Sequence, residues 1–167
     1  MQIHRKLLSP AIAVLALVAS VPLGAQNLNA QDQKFIQTAA KGGMMEVHMG
    51  RLGAERGASP GVKSFSQMLV SDHTKGNQEL MALAKQKGVT LPSDDAKMVM
   101  SMPFANKSGA DFDREFAKEA VEDHQKDIGE FEKEANTGAD ADVRNWAKRT
   151  LPTLRAHLAS AQALQKP

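Results

Sequence analysis

The chain of 167 residues has no cysteine, no tyrosine and a single tryptophan. Without cysteine there is no disulfide, no thiolate to hold a metal, and no N-terminal cysteine for lipid attachment. Aromatic residues make up only 4%, and with Ala, Leu and Met abundant this favours helices over sheets. No apolar run reaches the roughly 20 residues that a membrane-spanning helix needs. The longest, from Leu7 to Val21, is broken by Ser9, Pro10 and Ser20. It follows Arg5-Lys6 and precedes Pro22-Leu23-Gly24-Ala25, which is the pattern of a secretory signal peptide over residues 1–25. The expected mature protein is periplasmic or secreted, with no stable membrane insertion after cleavage.

Net charge is also missing once the leader is removed. The full chain carries 21 basic and 19 acidic residues, and loss of Arg5 and Lys6 leaves the two signs equal. A neutral chain has no positive field to attract nucleic acid or an anionic membrane. There is no Gly-rich phosphate loop and no nucleophilic serine elbow. No catalytic constellation is legible, and the reading leans away from an enzyme.

What is present is helical periodicity. Residues 26–167 read as one domain of four helices. The first, α1, is expected from an Asp32 cap to about Arg56, with Phe35, Ala39, Gly42, Glu46, Met49 and Gly53 at alternating steps of three and four. Ser59-Pro60 opens α2, which runs to a stop at Gly88 and presents Val62, Phe65, Leu69, His73, Gly76, Leu80 and Leu83. A linker from Gly88 to about Ser108 is far longer than the two to eight residues that join an antiparallel helical hairpin. It has the reach to cross the whole length of a bundle. The third helix, α3, spans about Ala110 to Ala135, with Phe112, Phe116, His124, Ile128 and Phe131 in its stripe. Asp140 caps α4, whose stripe holds Val143, Trp146, Leu151, Leu154 and His157, and which Pro152 should bend or leave with a free carbonyl. The expected architecture is an all-α, ferritin-like four-helix bundle with one long crossover between α2 and α3.

Four residues stand out against these stripes. Glu46, His73, His124 and His157 each lie on the apolar face of a different helix, near its midpoint. At 1.5 Å per residue all four sit about 21–25 Å along helices about 40 Å long, so they share one level. A buried polar group left unpaired costs roughly 1–3 kcal/mol, so this layer needs partners. Three imidazoles and a carboxylate suit one transition-metal ion such as Zn, Fe, Mn or Cu. The alternative is a metal-free network in which Glu46 accepts from the histidines and only sets helix register, making the chain a structural or interaction module. A coupled di-iron site needs Glu-x-x-His pairs that these histidines lack. Asp72 and Asp123 precede two of the histidines and point about 100° away from them, as outer or surface groups.

The motifs Asp32-x-x-Phe35 with Ala39-Ala40, Glu46-Val47, Val62-x-x-Phe65 running into Asp72-His73, Phe112-Asp113 leading to His124, and Leu151-Pro152 before His157-Leu158 carry a resemblance over the whole mature chain. They resemble the ferritin-like bacterial family known as domain of unknown function 4142, whose members are described as outer-membrane or exported proteins. The resemblance implies a bundle in the cell envelope and no assigned activity. It does not bring ferroxidase ligands with it.

Other signals have plainer readings. Met98, Met100 and Met102 alternate in the crossover, and thioethers bind Cu(I), although methionine also fills gaps under loops. His48, two positions from Glu46, reads as a surface residue. Basic Arg144, Lys148 and Arg149 on α4 and the acidic run from Glu119 to Glu134 on α3 read as solvated faces. Their complementarity would also suit a homodimer; no protein partner is specified.

Overall fold

Polar caps set the ends of the long helices. Asn29 accepts from the Asp32 N–H at the start of α1, Ala30–Arg56. Ser59 accepts from the Val62 N–H, with Pro60 in the first turn of α2, Pro60–Lys87. Gly88 ends α2 at φ 69°, a left-handed conformation that glycine adopts without steric strain. The helix α3, Gly109–Thr137, follows Ser108, and Asp140 accepts from two N–H groups to open α4, Ala141–Leu164. The computed structural model describes residues 28–166, so the expected leader lies outside the described residues. Among those residues there is no strand, and no helix is long and apolar enough to cross a membrane.

Contacts at the two ends give the direction of each helix. The Ala139 N–H donates to Asp32 at 2.9 Å, so the α3–α4 turn lies beside the start of α1. Lys87, at the end of α2, reaches Asp140 at the same end, 2.7 Å away. At the far end the Ser59 N–H donates to Asp113 at 2.7 Å, and Arg56 donates to the Ala105 carbonyl at 2.6 Å. Helices α1 and α4 therefore run one way and α2 and α3 the other. The crossover travels back along the bundle, carrying a short 3-10 helix over Ala96–Ser101.

One local expectation changes. Asp32 is not the cap of α1; Asn29 takes that role and frees the Asp32 carboxylate, which is fully buried, to accept from Ala139 and Asp140. One acid thus ties the start of α1 to the α3–α4 turn. Pro152 leaves α4 continuous and the Lys148 carbonyl without a helical donor, one of the two expected outcomes, and both residues face solvent.

The apolar interior falls into two clusters. One, built on Met49, Leu69, Phe104, Phe112, Phe116 and Ala120, fills the end near the α1–α2 turn. The other, built on Phe35, Ile36, Leu80, Phe131, Trp146 and Leu154, fills the opposite end. On every helix the gap between the clusters contains one of Glu46, His73, His124 and His157. The polar layer separates two hydrophobic cores.

Close packing of α1 on α2 depends on Gly50, where an added Cβ would lie 2.7 Å from the Ser66 carbonyl oxygen and 2.9 Å from Val70. Gly50→Ala should destabilise the fold by about 1–3 kcal/mol through overpacking. Gly129, within α3, has nothing within 4 Å of such a Cβ, so Gly129→Ala should stabilise by about 0.5–1 kcal/mol. Urea unfolding of the two variants checks both signs, and their reversal would contradict this packing.

Candidate metal centre

Each histidine reaches the layer from a different helix. The rings of His73 on α2, His124 on α3 and His157 on α4 form a nearly equilateral triangle, with centroid separations of 5.7, 5.2 and 5.3 Å. One ligand nitrogen from each lies within 4.8 Å of the other two, and His124 and His157 are fully buried.

Hydrogen bonds decide which nitrogens face inward. His124 Nδ1 stands 2.8 Å from the Ala120 carbonyl one turn back on α3. A carbonyl only accepts, so Nδ1 carries the proton and Nε2 presents a lone pair. His157 Nε2 stands 3.0 Å from an Asp72 carboxylate oxygen, and donates to it. That leaves His157 Nδ1 facing His124 Nε2 at 3.3 Å. The buried His73 Nε2 has no hydrogen-bond partner among the described residues.

The electrostatics favour neutral rings. Burial, then the neighbouring His157 and His124, lowers His73 to about 3. Burial and His157 lower His124 to about 4, against the raising effect of its bond to Ala120. At neutral pH both rings are uncharged donors. A single proton between His124 and His157 would satisfy that pair and leave His73 Nε2 unpaired. One ligand nitrogen of His73 lies within 4.8 Å of one on each of the other two rings, a spacing that a single ion could bridge.

Glu46, expected as a fourth ligand, stands outside the triangle. Its Oε1 lies 3.5 Å from His124 Nδ1, the nitrogen turned away from the other rings. The bond from Nδ1 to α3's own backbone turns Nε2 toward α2 and α4, and Glu46 on α1 is left on the opposite edge. Glu46 is 3% exposed, and neither carboxylate oxygen has a hydrogen-bond partner among the described residues. Burial, then Asp123, Asp127 and Glu119, raises its pKa well above the usual carboxyl range.

Asp72 orients His157 through its carboxylate, the outer role that the sequence reading allowed it. Other groups were read differently from the sequence. Asp127, counted with the solvated face of α3, lines a cavity of about 40 Å³ with His73, His157 and Trp146, and burial, then Asp123, raises it to about 6. Its position three residues after His124, one helical turn on the same face, was the available signal. His48 is not free at the surface; its Nε2 contacts Asp94 at 2.6 Å and pins the crossover to α1. Met98 and Met102 line a cleft with Met45, whereas Met100 is 46% exposed, so the alternating methionines do not form one thioether set.

A family model described as domain of unknown function (DUF4142) matches residues 18–164. The chain belongs to this family. No curated protein matches it in sequence. Among solved structures, this DUF4142 chain is similar to a DUF305 fragment from Deinococcus radiodurans, with TM-score 0.71 and 13% identity over 83% of this chain and 97% of that one. A conserved hypothetical protein from Mycobacterium tuberculosis aligns with TM-score 0.67 and 17% identity, over 81% of this chain and 98% of that one. CopM in the Cu(I)-bound form aligns with TM-score 0.63 and 17% identity, over 79% and 93% respectively. At these identities the likeness is one of fold.

The raised pKa of Glu46 gives a signed prediction. The native state holds a proton that the unfolded chain releases more readily, so this stabilisation is present at low pH and fades as pH rises through the folded-state pKa. Glutamine does not titrate. In metal-free protein, the melting temperature of Glu46→Gln minus that of the wild type should therefore grow between about pH 5 and pH 8. A difference that shrinks over this range would show that Glu46 is not held protonated by burial.

Proposed function

We propose that the chain is an exported, ferritin-like four-helix bundle that binds one transition-metal ion through His73 Nε2, His124 Nε2 and His157 Nδ1. Its role would be metal handling in the cell envelope. The observation that carries this reading is the 3.3 Å separation of His124 Nε2 and His157 Nδ1. Two nitrogens each bonded at about 2.0–2.1 Å to one tetrahedral ion stand about 3.3–3.4 Å apart. His73, whose ligand nitrogen is within 4.8 Å of both, completes the set by a side-chain adjustment.

The antiparallel helix order and the returning crossover support the ferritin-like architecture, and the leader pattern over residues 1–25 supports export. The donor set is nitrogen only, without thiolate. It suits Zn, Cu and Fe, and within the divalent series Cu(II) binds most strongly. CopM, a neighbour in fold, was solved with Cu(I) bound, which favours copper for this chain. The cavity of about 40 Å³ beside the rings has room for a metal-bound water. The Asp72–His157–metal relay then matches the usual carboxylate–histidine–metal pattern, in which the outer carboxylate holds the tautomer. A metal-free network is the weaker reading, because it leaves the buried His73 Nε2 unpartnered.

Calorimetric titration of untagged, metal-depleted protein with Cu(II) and Zn(II) tests the proposal. One equivalent per chain should bind. His124→Ala should weaken binding by at least about 100-fold, and Asp72→Asn by about 10-fold to 100-fold, with helical circular dichroism retained. Sub-stoichiometric binding of every metal tried, or an affinity unchanged by His124→Ala, would overturn it.

A further inference from the structure

A cleft of about 790 Å³ opens between α1, α3 and the crossover. On one wall stand Glu119, Asp123 and Asp127, spaced four residues apart and therefore stacked on a single stripe of α3. Like charges at that spacing destabilise a helix, and Lys41 and Lys126 offset them only in part. Met45, Met98 and Met102 add apolar wall, and a low-dielectric lining concentrates the field of charges in a cleft.

Two observations connect this stripe to the interior. Glu46 also lines the cleft, is 3% exposed, and has neither carboxylate oxygen hydrogen-bonded. From there its Oε1 touches the His124 ring at 3.5 Å. Asp127 borders both the cleft and the small cavity that holds His73 and His157. Carboxylates thus continue from the solvent-facing cleft to the edge of the imidazole triangle.

We infer that this cleft is an entry vestibule for hydrated divalent transition-metal cations, in which Glu119 and Asp123 draw the ion inward and Asp127, which borders both the cleft and the cavity of His73 and His157, passes it on. The inference rests on the reading of the three histidines as the metal's destination. It assigns the acidic stripe a kinetic role: these carboxylates set how fast the ion arrives, and the imidazoles set how tightly it stays.

Trp146 is the chain's only tryptophan and lines the cavity beside His73 and His157, so its quenching by Cu(II) reports loading in a stopped-flow experiment. The triple variant Glu119→Gln, Asp123→Asn, Asp127→Asn should load at least about 10-fold more slowly at low ionic strength. Its final stoichiometry should match the wild type, and the wild-type rate should fall more steeply with salt than the variant's. A control carrying Glu55→Gln, Glu79→Gln and Glu122→Gln, all exposed and outside the cleft, should keep the wild-type rate within about two-fold.

Equal rates for the wild type and the cleft variant would overturn the vestibule while leaving the histidine site standing. Equal slowing by the control would also overturn it, by assigning the effect to overall charge. A loss of stoichiometry in the cleft variant would make its carboxylates ligands, not a route, and would overturn it too. Absence of Cu(II) quenching in the wild type, together with no binding by calorimetry, would remove the histidine site and the vestibule with it.

Discussion

Two hydrogen bonds that point away from the centre organise the site. The Ala120 carbonyl takes the proton-bearing nitrogen of His124, and Asp72 takes that of His157. Each bond removes one nitrogen from its ring's options and turns the other, with its lone pair, inward. Two lone pairs at 3.3 Å repel unless a cation or a shared proton lies between them. His73 Nε2 is unpartnered in the same layer. The site's chemistry therefore follows from a backbone carbonyl and a half-exposed aspartate as much as from the rings themselves.

The rest of the fold makes this arrangement affordable. Apolar clusters on both sides of the layer supply the stability, each with several large side chains fully buried. End ties such as Asp32 to the α3–α4 turn, and Arg56 to Ala105, set the register of helices that are far apart in sequence. Register matters because one helical turn is about 5.4 Å, longer than the spread of the three ligand nitrogens, 4.8 Å. A slip of one turn in any helix would take its histidine out of the layer. The long crossover is what allows α2 and α3 to run in the same direction while all neighbouring helices stay antiparallel.

Much of this was legible before any coordinates. The three–four spacing put His73, His124 and His157 on core faces, and their distance from the helix starts put them at one level. The length of the segment after Gly88 implied a crossover. Side-chain direction was less accessible. Glu46 lies on the correct face and at the correct level, yet stacks against the outer edge of His124, because the choice of ring nitrogen depends on a backbone bond that no spacing reveals. Asp32 looked like a cap because its type suits one, and Asn29 suits the position equally well. Asp72, Asp127 and His48 acquire their roles from residues 85 positions distant, from a cavity between helices, and from a loop 46 positions away. Helical periodicity reports a residue's angle around its own axis, whereas these roles depend on what the neighbouring helix presents there.

Nitrogen-15 NMR of the histidine rings addresses the central claim most directly, because it reads protonation and coordination at each nitrogen. In metal-free protein His124 should carry its proton on Nδ1, and His157 should carry one on Nε2. On addition of one equivalent of Zn(II), the resonances of His124 Nε2, His157 Nδ1 and His73 Nε2 should move together to the values of metal-bound nitrogen, with the outward-facing nitrogens unchanged. Opposite tautomers, or three inward nitrogens indifferent to Zn(II), would contradict a histidine metal centre in this bundle.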